Sequence, residues 1–450
     1  MRHRIVTYYF FCILLTTQFA FSQGRRDQFP GSVRFPAEIA IQTVNLVSQV
    51  QGRSRLDIAY RIPRTFFVFT RDVDSPAPQH FSANGEIIVE VLDSGKNSVA
   101  QTVIKKQLDS DIMPAAQDSS TVEGAVTFDL LPGKYSLALE IDDHNSNRKT
   151  RDLSRTITLK DFSRGDLEAS DVVFLDPQHG GETTLEPYNL GGDVPFSQNT
   201  KCYVQASTTI AAESLVIAYR IVETLPDEKM PRAVMNDTIR GTFRAAKDPV
   251  IQKIENSFIY GEVSTLPSHV YTCSFDVMTD TLPVGMYRLD MELLAGNQSA
   301  SIKKNFQVRW ESMPATLRQI RLAVDAMQYV LSEDEGSKLE SASAKKQRMM
   351  IDDFWKPRDP SPHTAFNEVM TEYFHRADYA YSNFGTLPEP NGLRSERAKA
   401  YILYGPPASI ERKLVPSSDP QEIWLYPNLQ KKLVFVDEHH NGNYKLVIAE

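Results

Sequence analysis

The sequence has little cysteine, no excess of positive charge and no apolar run long enough to span a bilayer. It contains 3 cysteines in 450 residues, and 57 acidic side chains against 49 Lys and Arg give a formal net charge of −8. This balance argues against nucleic acid or an anionic membrane as the partner. The chain also lacks the Gly-x-Ser-x-Gly motif of serine hydrolases and the His-Glu-x-x-His motif of zinc proteases. We therefore expect no cofactor and no catalytic metal.

The first 22 residues predict a secretory signal peptide. Arg2 and Arg4 supply the charged start, residues 5–15 the apolar stretch, and residues 20–22 a small-residue cleavage site. The apolar stretch has about 11 residues, whereas a membrane-spanning helix needs about 20. We expect export to the periplasm or the cell surface, with no transmembrane segment in the mature chain.

Two cysteines lie beyond the signal peptide, Cys202 and Cys273. In an oxidising compartment a single disulfide between them is one prediction, because both fall in apparent strands of the same domain. Two buried thiols are the alternative.

Two segments of the chain look like copies of one β domain. Residues 58–62 read Ile-Ala-Tyr-Arg-Ile, and the same five residues recur at 217–221. Downstream, Leu-Pro-Gly-Lys-Tyr at 131–135 is echoed by Leu-Pro-Val-Gly-Met-Tyr at 282–287. The Leu-Pro-Gly-x-Tyr pattern is typical of a tyrosine corner, in which the phenol bonds back to the chain. The order and similar spacing of the matches predict a tandem repeat.

The predicted fold is therefore multidomain and mainly β. We divide the chain into a signal peptide at 1–22, β-sandwich domains at 23–165 and 166–310, and an α+β domain at 311–450. Both sandwiches are expected to be immunoglobulin-like. In the last domain helices come first and a small antiparallel sheet follows, with strands predicted at Ala400–Tyr404, Ile423–Tyr426, Leu433–Val436 and Tyr444–Ile448. Ser332 and Glu335 predict a capping box that begins one of the helices.

Five blocks in the last third of the chain resemble the GWxTD domain of secreted bacterial proteins. They are the segments at 354–362, 367–376, 404–407, 422–426 and 435–444. The resemblance extends from about residue 313 to 450. The naming motif falls on Gly392-Leu393-Arg394-Ser395-Glu396, so Leu replaces Trp, Ser replaces Thr and Glu replaces Asp. The resemblance implies no established activity.

The residues that carry this resemblance are also the candidate interaction residues. They are Trp355, Arg358, Asp359, Arg376, Gly392, Glu396, Arg397, Gly405, Pro406, Pro407, Trp424, Tyr426 and Asp437. Gly405 before two prolines is expected to form a rigid turn leaving a strand, not a phosphate loop, because proline has no N–H to offer an anion. Trp424 is expected in the core or lining a groove. Arg358 and Arg376 either pair with nearby acids or bind a carboxylate on a partner.

Two functions from different classes remain. The first is a non-enzymatic binding or assembly module of the cell envelope, whose partner is a protein or a glycan. Aromatic residues near Tyr379, Tyr381 and Phe384 support it. The alternative is a glycan-acting hydrolase that uses two of Glu396, Glu422 and Asp437 as paired carboxylates. The oligomeric state stays open.

Weaker metal hypotheses rest on two acidic segments. Residues 142–145, Asp-Asp-His-Asn, are either a weak calcium site or a solvated turn. Glu372 and His375 share one helix face, but the second such pair that a di-iron site needs is absent. We therefore predict no metal site in the chain.

Overall fold

In the computed structural model, residues 39–449 are described except 73–79, 115–119, 178–183, 186–191, 225–231, 241–242, 255–256, 311, 387–388 and 415–417. The predicted signal peptide at 1–22 lies outside the described residues. No helix of the described part is long and apolar enough to cross a membrane. The fold is mainly β, with sandwich-like sheets and a helical part near the C-terminus.

The first part of the chain forms two facing sheets. Its strands are β1 (Ala40–Val47), β2 (Ser54–Pro63), β3 (Thr70–Arg71), β4 (Phe81–Leu92), β5 (Ser98–Ser110), β6 (Thr121–Leu130), β7 (Gly133–Asp143) and β8 (Lys149–Leu159). One sheet has the order β1-β2-β6, and the other has β4 between β5 and β7, with β8 beyond β7 and β3 beside β4. Alternate residues of β4 are buried, including Ile87, Val89 and Val91, as period-2 patterning requires. The core lies between the two sheets.

The second part is also built from sheets. Its strands are β9 (Glu168–Ala169), β10 (Val173–Leu175), β11 (Thr184–Leu185), β12 (Val194–Pro195), β13 (Thr200–Ser207), β14 (Leu215–Glu223), β15 (Arg232–Arg240), β16 (Arg244–Ala245), β17 (Lys247–Ile254), β18 (Ser257–Thr265), β19 (Val270–Val277), β20 (Gly285–Ala295) and β21 (Gln298–Arg309). One sheet has the order β10-β13-β19-β16 and another β12-β21-β20-β14-β15. A third, smaller sheet has the order β11-β18-β17.

Both tyrosine corners are confirmed. The Tyr135 hydroxyl donates to the Leu131 carbonyl oxygen at 2.7 Å, and the Tyr287 hydroxyl donates to the Pro283 carbonyl oxygen at 2.8 Å. In each case the phenol reaches back four residues and fixes the turn that enters the strand. Burial raises the pKa of Tyr287 to about 12.

The repeated Ile-Ala-Tyr-Arg-Ile segment, in contrast, does not mark equivalent strands. Residues 58–62 lie in β2, which pairs with β1 and β6, away from the corner strand β7. Residues 217–221 lie in β14, which pairs directly with the corner strand β20. By its place beside a corner strand, β14 corresponds to β4. Both copies alternate fully and partly buried positions, apart from the exposed Arg220, so the shared strand pattern explains the match without a common position in the fold.

The cysteines lie on neighbouring strands but do not form the disulfide that was one of the two predictions. Cys202 on β13 pairs with Phe275 on β19, and Cys273 pairs with Val204, so the two cysteines are diagonal and not opposite. Diagonal neighbours are farther apart than the Cβ separation of about 4 Å that a disulfide needs. The structure holds two buried thiols, and burial raises the pKa of the Cys202 thiol.

The two β parts share buried contacts. Val44 and Leu46 of β1 pack with Tyr203 and Tyr260 of the second part. Beside them, the backbone N–H of Val47 donates to the Gln205 side-chain oxygen at 2.9 Å. Apolar packing and a buried hydrogen bond therefore join the two parts directly.

The C-terminal part begins with helices and ends with a sheet, as predicted. The helices are α1 (Ala315–Arg318), α2 (Ile320–Met327), α3 (Glu333–Glu340), α4 (Ala344–Trp355), α5 (Glu368–Asn383) and α6 (Glu396–Tyr404). The strands β22 (Ser409–Lys413), β23 (Gln421–Tyr426), β24 (Lys431–Val436) and β25 (Lys445–Ala449) form an antiparallel sheet in that order. The capping box of Ser332 and Glu335 is confirmed at the start of α3.

One predicted strand of this part is wrong. Ala400–Tyr404 is the second half of α6, and the first strand of the sheet is β22. Helix α6 begins at Ser395, whose hydroxyl oxygen accepts the N–H of Ala398 at 3.1 Å. Ala398, Ala400 and Ile402 are buried along the helix. The N-cap at Ser395 is the feature that the strand interpretation overlooked.

We expect Tyr287→Phe to lower the free energy of unfolding by about 1 kcal/mol. The substitution leaves the packing intact and removes only the hydroxyl that donates to Pro283. Urea denaturation would measure the change, and Tyr379→Phe, at a side chain that is 45% exposed, serves as the control. Equal stability of the two variants would contradict a structural role for the corner.

Candidate functional site

The Gly392–Glu396 segment joins the end of α5 to the start of α6. A Cβ on Gly392 would lie 2.3 Å from the carbonyl oxygen of Ala380 and 2.7 Å from that of Tyr381. Only glycine permits this approach of the two backbones. Leu393 is fully buried, and the Tyr329 hydroxyl donates to its carbonyl oxygen. The segment that carries the altered motif therefore packs closely against the end of α5.

Glu396 and Arg397, which follow, hold the last strand. The Glu396 carboxylate accepts the N–H of Leu446 on β25 at 2.6 Å and lies 3.6 Å from the Lys445 ammonium. Arg397 donates to the Gly442 carbonyl oxygen at 3.1 Å, and its guanidinium lies 4.3 Å from the ring centre of Tyr444. Both side chains thus connect α6 to the final hairpin.

The Glu422 side chain lies beside Arg397 and is only 5% exposed. Its carboxylate accepts from the Trp424 indole N–H at 3.1 Å and from Arg412 Nε at 3.1 Å. Arg397 Nη1 lies 3.5 Å away on the same carboxylate. A buried carboxylate requires such donors, because an unpaired charge in this environment is costly. Trp424 itself is fully buried, so it belongs to the core and does not line a groove.

The Asp437 side chain stabilises the turn that follows β24. Its two carboxylate oxygens accept the N–H groups of Asn441 at 3.2 Å and Gly442 at 2.7 Å. The side chain is 4% exposed. Gly442 has a φ of 84°, a conformation that glycine adopts without strain.

The three carboxylates of the hydrolase hypothesis all accept hydrogen bonds within the domain. Glu422 and Asp437 are buried, and their oxygens serve as acceptors for indole, guanidinium and backbone donors. Glu396 is likewise occupied by β25. A glycosidase needs one carboxyl that is free to give a proton and another that faces the substrate. The three carboxylates stabilise the domain.

The Phe354–Pro362 block is also structural. Trp355 is 4% exposed, and its ring packs against Tyr373 with ring centres 5.0 Å apart. The guanidinium of Arg358 lies 3.8 Å from the ring centre of Phe354. Asp359 accepts the N–H of Ser361 at 2.9 Å. Residues of this block pack α4 against α5, and the chain then forms a turn.

Gly405 ends α6, so the turn with Pro406 and Pro407 follows a helix and not the strand that was expected. Gly405 has a φ of 80°, and its carbonyl oxygen accepts the Tyr426 hydroxyl at 3.1 Å. A Cβ on Gly405 would lie 3.1 Å from the guanidinium carbon of Arg376. The glycine therefore lets the turn lie against Arg376.

The residues around this turn form an exposed aromatic surface. We name it the tyrosine surface and define it by Tyr379, Tyr401, Tyr404, Ile410 and Arg376. The rings of Tyr379 and Tyr401 are stacked, with centres 4.3 Å apart and planes 13° apart. Tyr379 is 45% exposed, Tyr404 36% and Ile410 43%. Of the aromatic residues singled out in the sequence, Tyr379 is exposed and Phe384 is buried.

Several members of this surface were not identified from sequence. Tyr401 and Tyr404 were assigned to a strand, and Ile410 lies in a strand that was not predicted. The Ser395 N-cap followed by residues with helix propensity is the signal that could have placed both tyrosines on α6.

The metal hypotheses find no support in the described residues, among which no group of three His, Cys, Asp or Glu side chains could hold an ion. At residues 142–145, for which a calcium site and a solvated turn were the alternatives, Asp143 is bonded within the protein. Asp143 is fully buried, and its carboxylate accepts the N–H of Val68 at 3.2 Å and the Ser146 hydroxyl at 2.5 Å. Glu372 bonds to Arg376 Nε at 2.7 Å.

Comparison with known proteins identifies the C-terminal region. Residues 291–448 match the GWxTD domain family. The match begins inside β20, earlier than the resemblance from about residue 313. No characterised protein sequence compared with the chain matches it.

Solved structures give only distant likenesses. Red sea bream transglutaminase is 8% identical over 60% of this chain and 31% of its own, with a TM-score of 0.17. Escherichia coli alpha-2-macroglobulin activated by porcine elastase is 14% identical over 61% of this chain and 24% of its own, with a TM-score of 0.15. The C-terminal domain of the Streptococcus agalactiae AgI/II polypeptide BspA is 7% identical over 60% of this chain and all of its own, with a TM-score of 0.16. At these scores the likenesses carry no argument about function.

We expect Glu422→Gln to destabilise the protein by about 3 kcal/mol. The substitution keeps the shape but removes the negative charge that faces Arg397 and Arg412, and leaves the largely buried Arg397 without its counter-ion. Thermal and urea denaturation would measure the loss. Glu411→Gln on the neighbouring strand is the matched control, because Glu411 is exposed. Similar stabilities of the two variants would show that Glu422 is not needed for the fold.

Gly392→Ala and Gly336→Ala should act in opposite directions. At Gly392 the new methyl group meets backbone oxygen atoms at 2.3 and 2.7 Å, so we expect a loss of more than about 2 kcal/mol. At Gly336, inside α3, nothing lies within 4 Å, so alanine should stabilise the helix by about 1 kcal/mol. The two free energies of unfolding decide the matter, and a tolerated Gly392→Ala would contradict the close approach of α5.

Proposed function

We propose that this protein, whose residues 291–448 form a GWxTD domain, is a non-enzymatic binding or assembly module of the cell envelope. The domain holds the interaction surface, and the two β parts act as immunoglobulin-like spacers. The sequence pattern of residues 1–22 supports export to the periplasm or cell surface. The partner is a protein of the same compartment.

The observation that carries the proposal is the contrast between the buried acids and the tyrosine surface. The acidic residues that chemistry would need are occupied by structural donors. Tyr379, three residues after Arg376, and Tyr404, next to the Gly405 turn that lies against Arg376, instead expose apolar area. Tyrosine and arginine are enriched at the centres of protein interfaces, because they offer large rigid contact area and several hydrogen-bond donors. The geometry therefore supports recognition better than hydrolysis.

The spacer role is supported by the contacts between the β parts. Val44 and Leu46 pack against Tyr203 and Tyr260, and Gln205 bonds to the backbone of β1. Parts joined by a buried apolar cluster are held more firmly than parts joined by a flexible linker. Such an arrangement would hold the GWxTD domain at a fixed distance from the N-terminal end of the first β part.

Photo-crosslinking in living cells tests the proposal. A crosslinking amino acid in place of Tyr379 should capture an envelope protein reproducibly, because this side chain belongs to the tyrosine surface and is exposed. The matched control places the same group at Met349 on α4, which is 57% exposed. Mass spectrometry of the products would identify the captured protein. Equal products from both positions, or none from Tyr379, would contradict the proposal.

A further inference from the structure

Arg376 has unused donors in the middle of the tyrosine surface. Its Nε donates to Glu372 at 2.7 Å, an exposed i,i+4 pair on α5. Among the described residues no acceptor bonds to Nη1 or Nη2, and the side chain is 28% exposed. Guanidinium has five N–H donors in a planar fork, so the free edge of Arg376 matches a carboxylate.

The surroundings hold this guanidinium in place. Its carbon would lie 3.1 Å from a Cβ at Gly405, where glycine leaves room, and both terminal nitrogens would lie 3.4 Å from it. The turn continues into Pro406 and Pro407, which have no N–H to compete for an anion. Arg376 also lies close enough to Tyr401 and Tyr426 to oppose the rise in their pKa, a rise that burial causes.

Apolar and basic groups adjoin the free edge. Tyr379 follows Arg376 by three residues on α5 and stacks on Tyr401 of α6, and Tyr404, the residue before Gly405, is exposed. The Lys431 ammonium lies 5.6 Å from the ring centre of Tyr404 and adds a second positive charge. In a chain with a formal net charge of −8, a surface that pairs two cations with exposed rings is complementary to an acidic, apolar ligand.

We propose that Arg376 is the specificity residue of the tyrosine surface and binds a carboxylate of a partner peptide, with apolar side chains beside that carboxylate packing on Tyr379 and Tyr404. This inference rests on the proposed binding function and names its ligand class. The ligand is an extended protein segment in which an Asp or Glu is flanked by apolar residues.

An array of synthetic hexapeptides tests the inference with the purified full-length chain. Each peptide with an Asp or Glu between apolar residues is printed beside its Asn or Gln counterpart. We expect the acidic members to bind at least tenfold more tightly. Arg376→Gln should abolish that preference, whereas Tyr379→Ala should weaken acidic and amide peptides alike. Glu372→Gln, which leaves the fork in place, should retain the preference.

The outcomes separate the ligand class from the function. Equal binding of acidic and amide peptides, or a preference that survives Arg376→Gln, would overturn the carboxylate assignment while leaving a peptide-binding surface. If the protein bound a glycan array and not the peptides, the carboxylate assignment would also be overturned. Only a binding role would then remain. Binding to neither array, together with no capture from Tyr379 in cells, would remove both the ligand class and the proposed function.

Discussion

The C-terminal domain depends on one buried carboxylate. Glu422, on strand β23, is 5% exposed, and its carboxylate is stabilised by the Trp424 indole and by Arg397 and Arg412. A charge in this position is tolerated only if all of these donors are in place. Arg397 in turn contacts the last hairpin through Gly442. One acidic side chain therefore connects helix α6, strand β23 and the final hairpin.

The segments that match the family also have architectural roles. Gly392 allows α5 and the start of α6 to approach, Ser395 begins the helix and Glu396 holds β25. Since Ser and Glu keep the hydrogen-bonding chemistry of Thr and Asp, the altered motif can keep these architectural roles. The exposed side chains of α5 and α6 include Tyr379 and Tyr404.

Much of the architecture could be predicted from the sequence, because local patterns report local structure. Alternation in β4, the capping box at Ser332 and the tyrosine corners are all decided by residues close together in the chain. Two other features could not be predicted in this way. Residues 58–62 and 217–221 share a strand pattern but occupy different sheets, and the offset of Cys202 from Cys273 is set by strand register. The sheet that a strand joins and the register between two strands cannot be predicted from residue spacing alone.

The site was predicted less completely than the fold. Arg376 and Gly405 were singled out from the resemblance, but their contact arises only when α5 meets the end of α6. Tyr401 was placed in a strand, so its stacking on Tyr379 was not foreseen. Glu396, Glu422 and Asp437 were singled out as acids, and their hydrogen bonds within the domain could not be predicted from the sequence. Burial of a polar group depends on tertiary packing, which a single sequence shows only indirectly.

The most direct test of the binding role is hydroxyl-radical footprinting of the protein in living cells and in purified form. A surface occupied by a partner should show protection of Tyr379 and Tyr404 in cells relative to the purified protein, with Met349 unchanged as the internal reference. We expect protection confined to these tyrosines. Equal reactivity of Tyr379 and Tyr404 in both settings would show that the surface is unoccupied and would contradict the binding role.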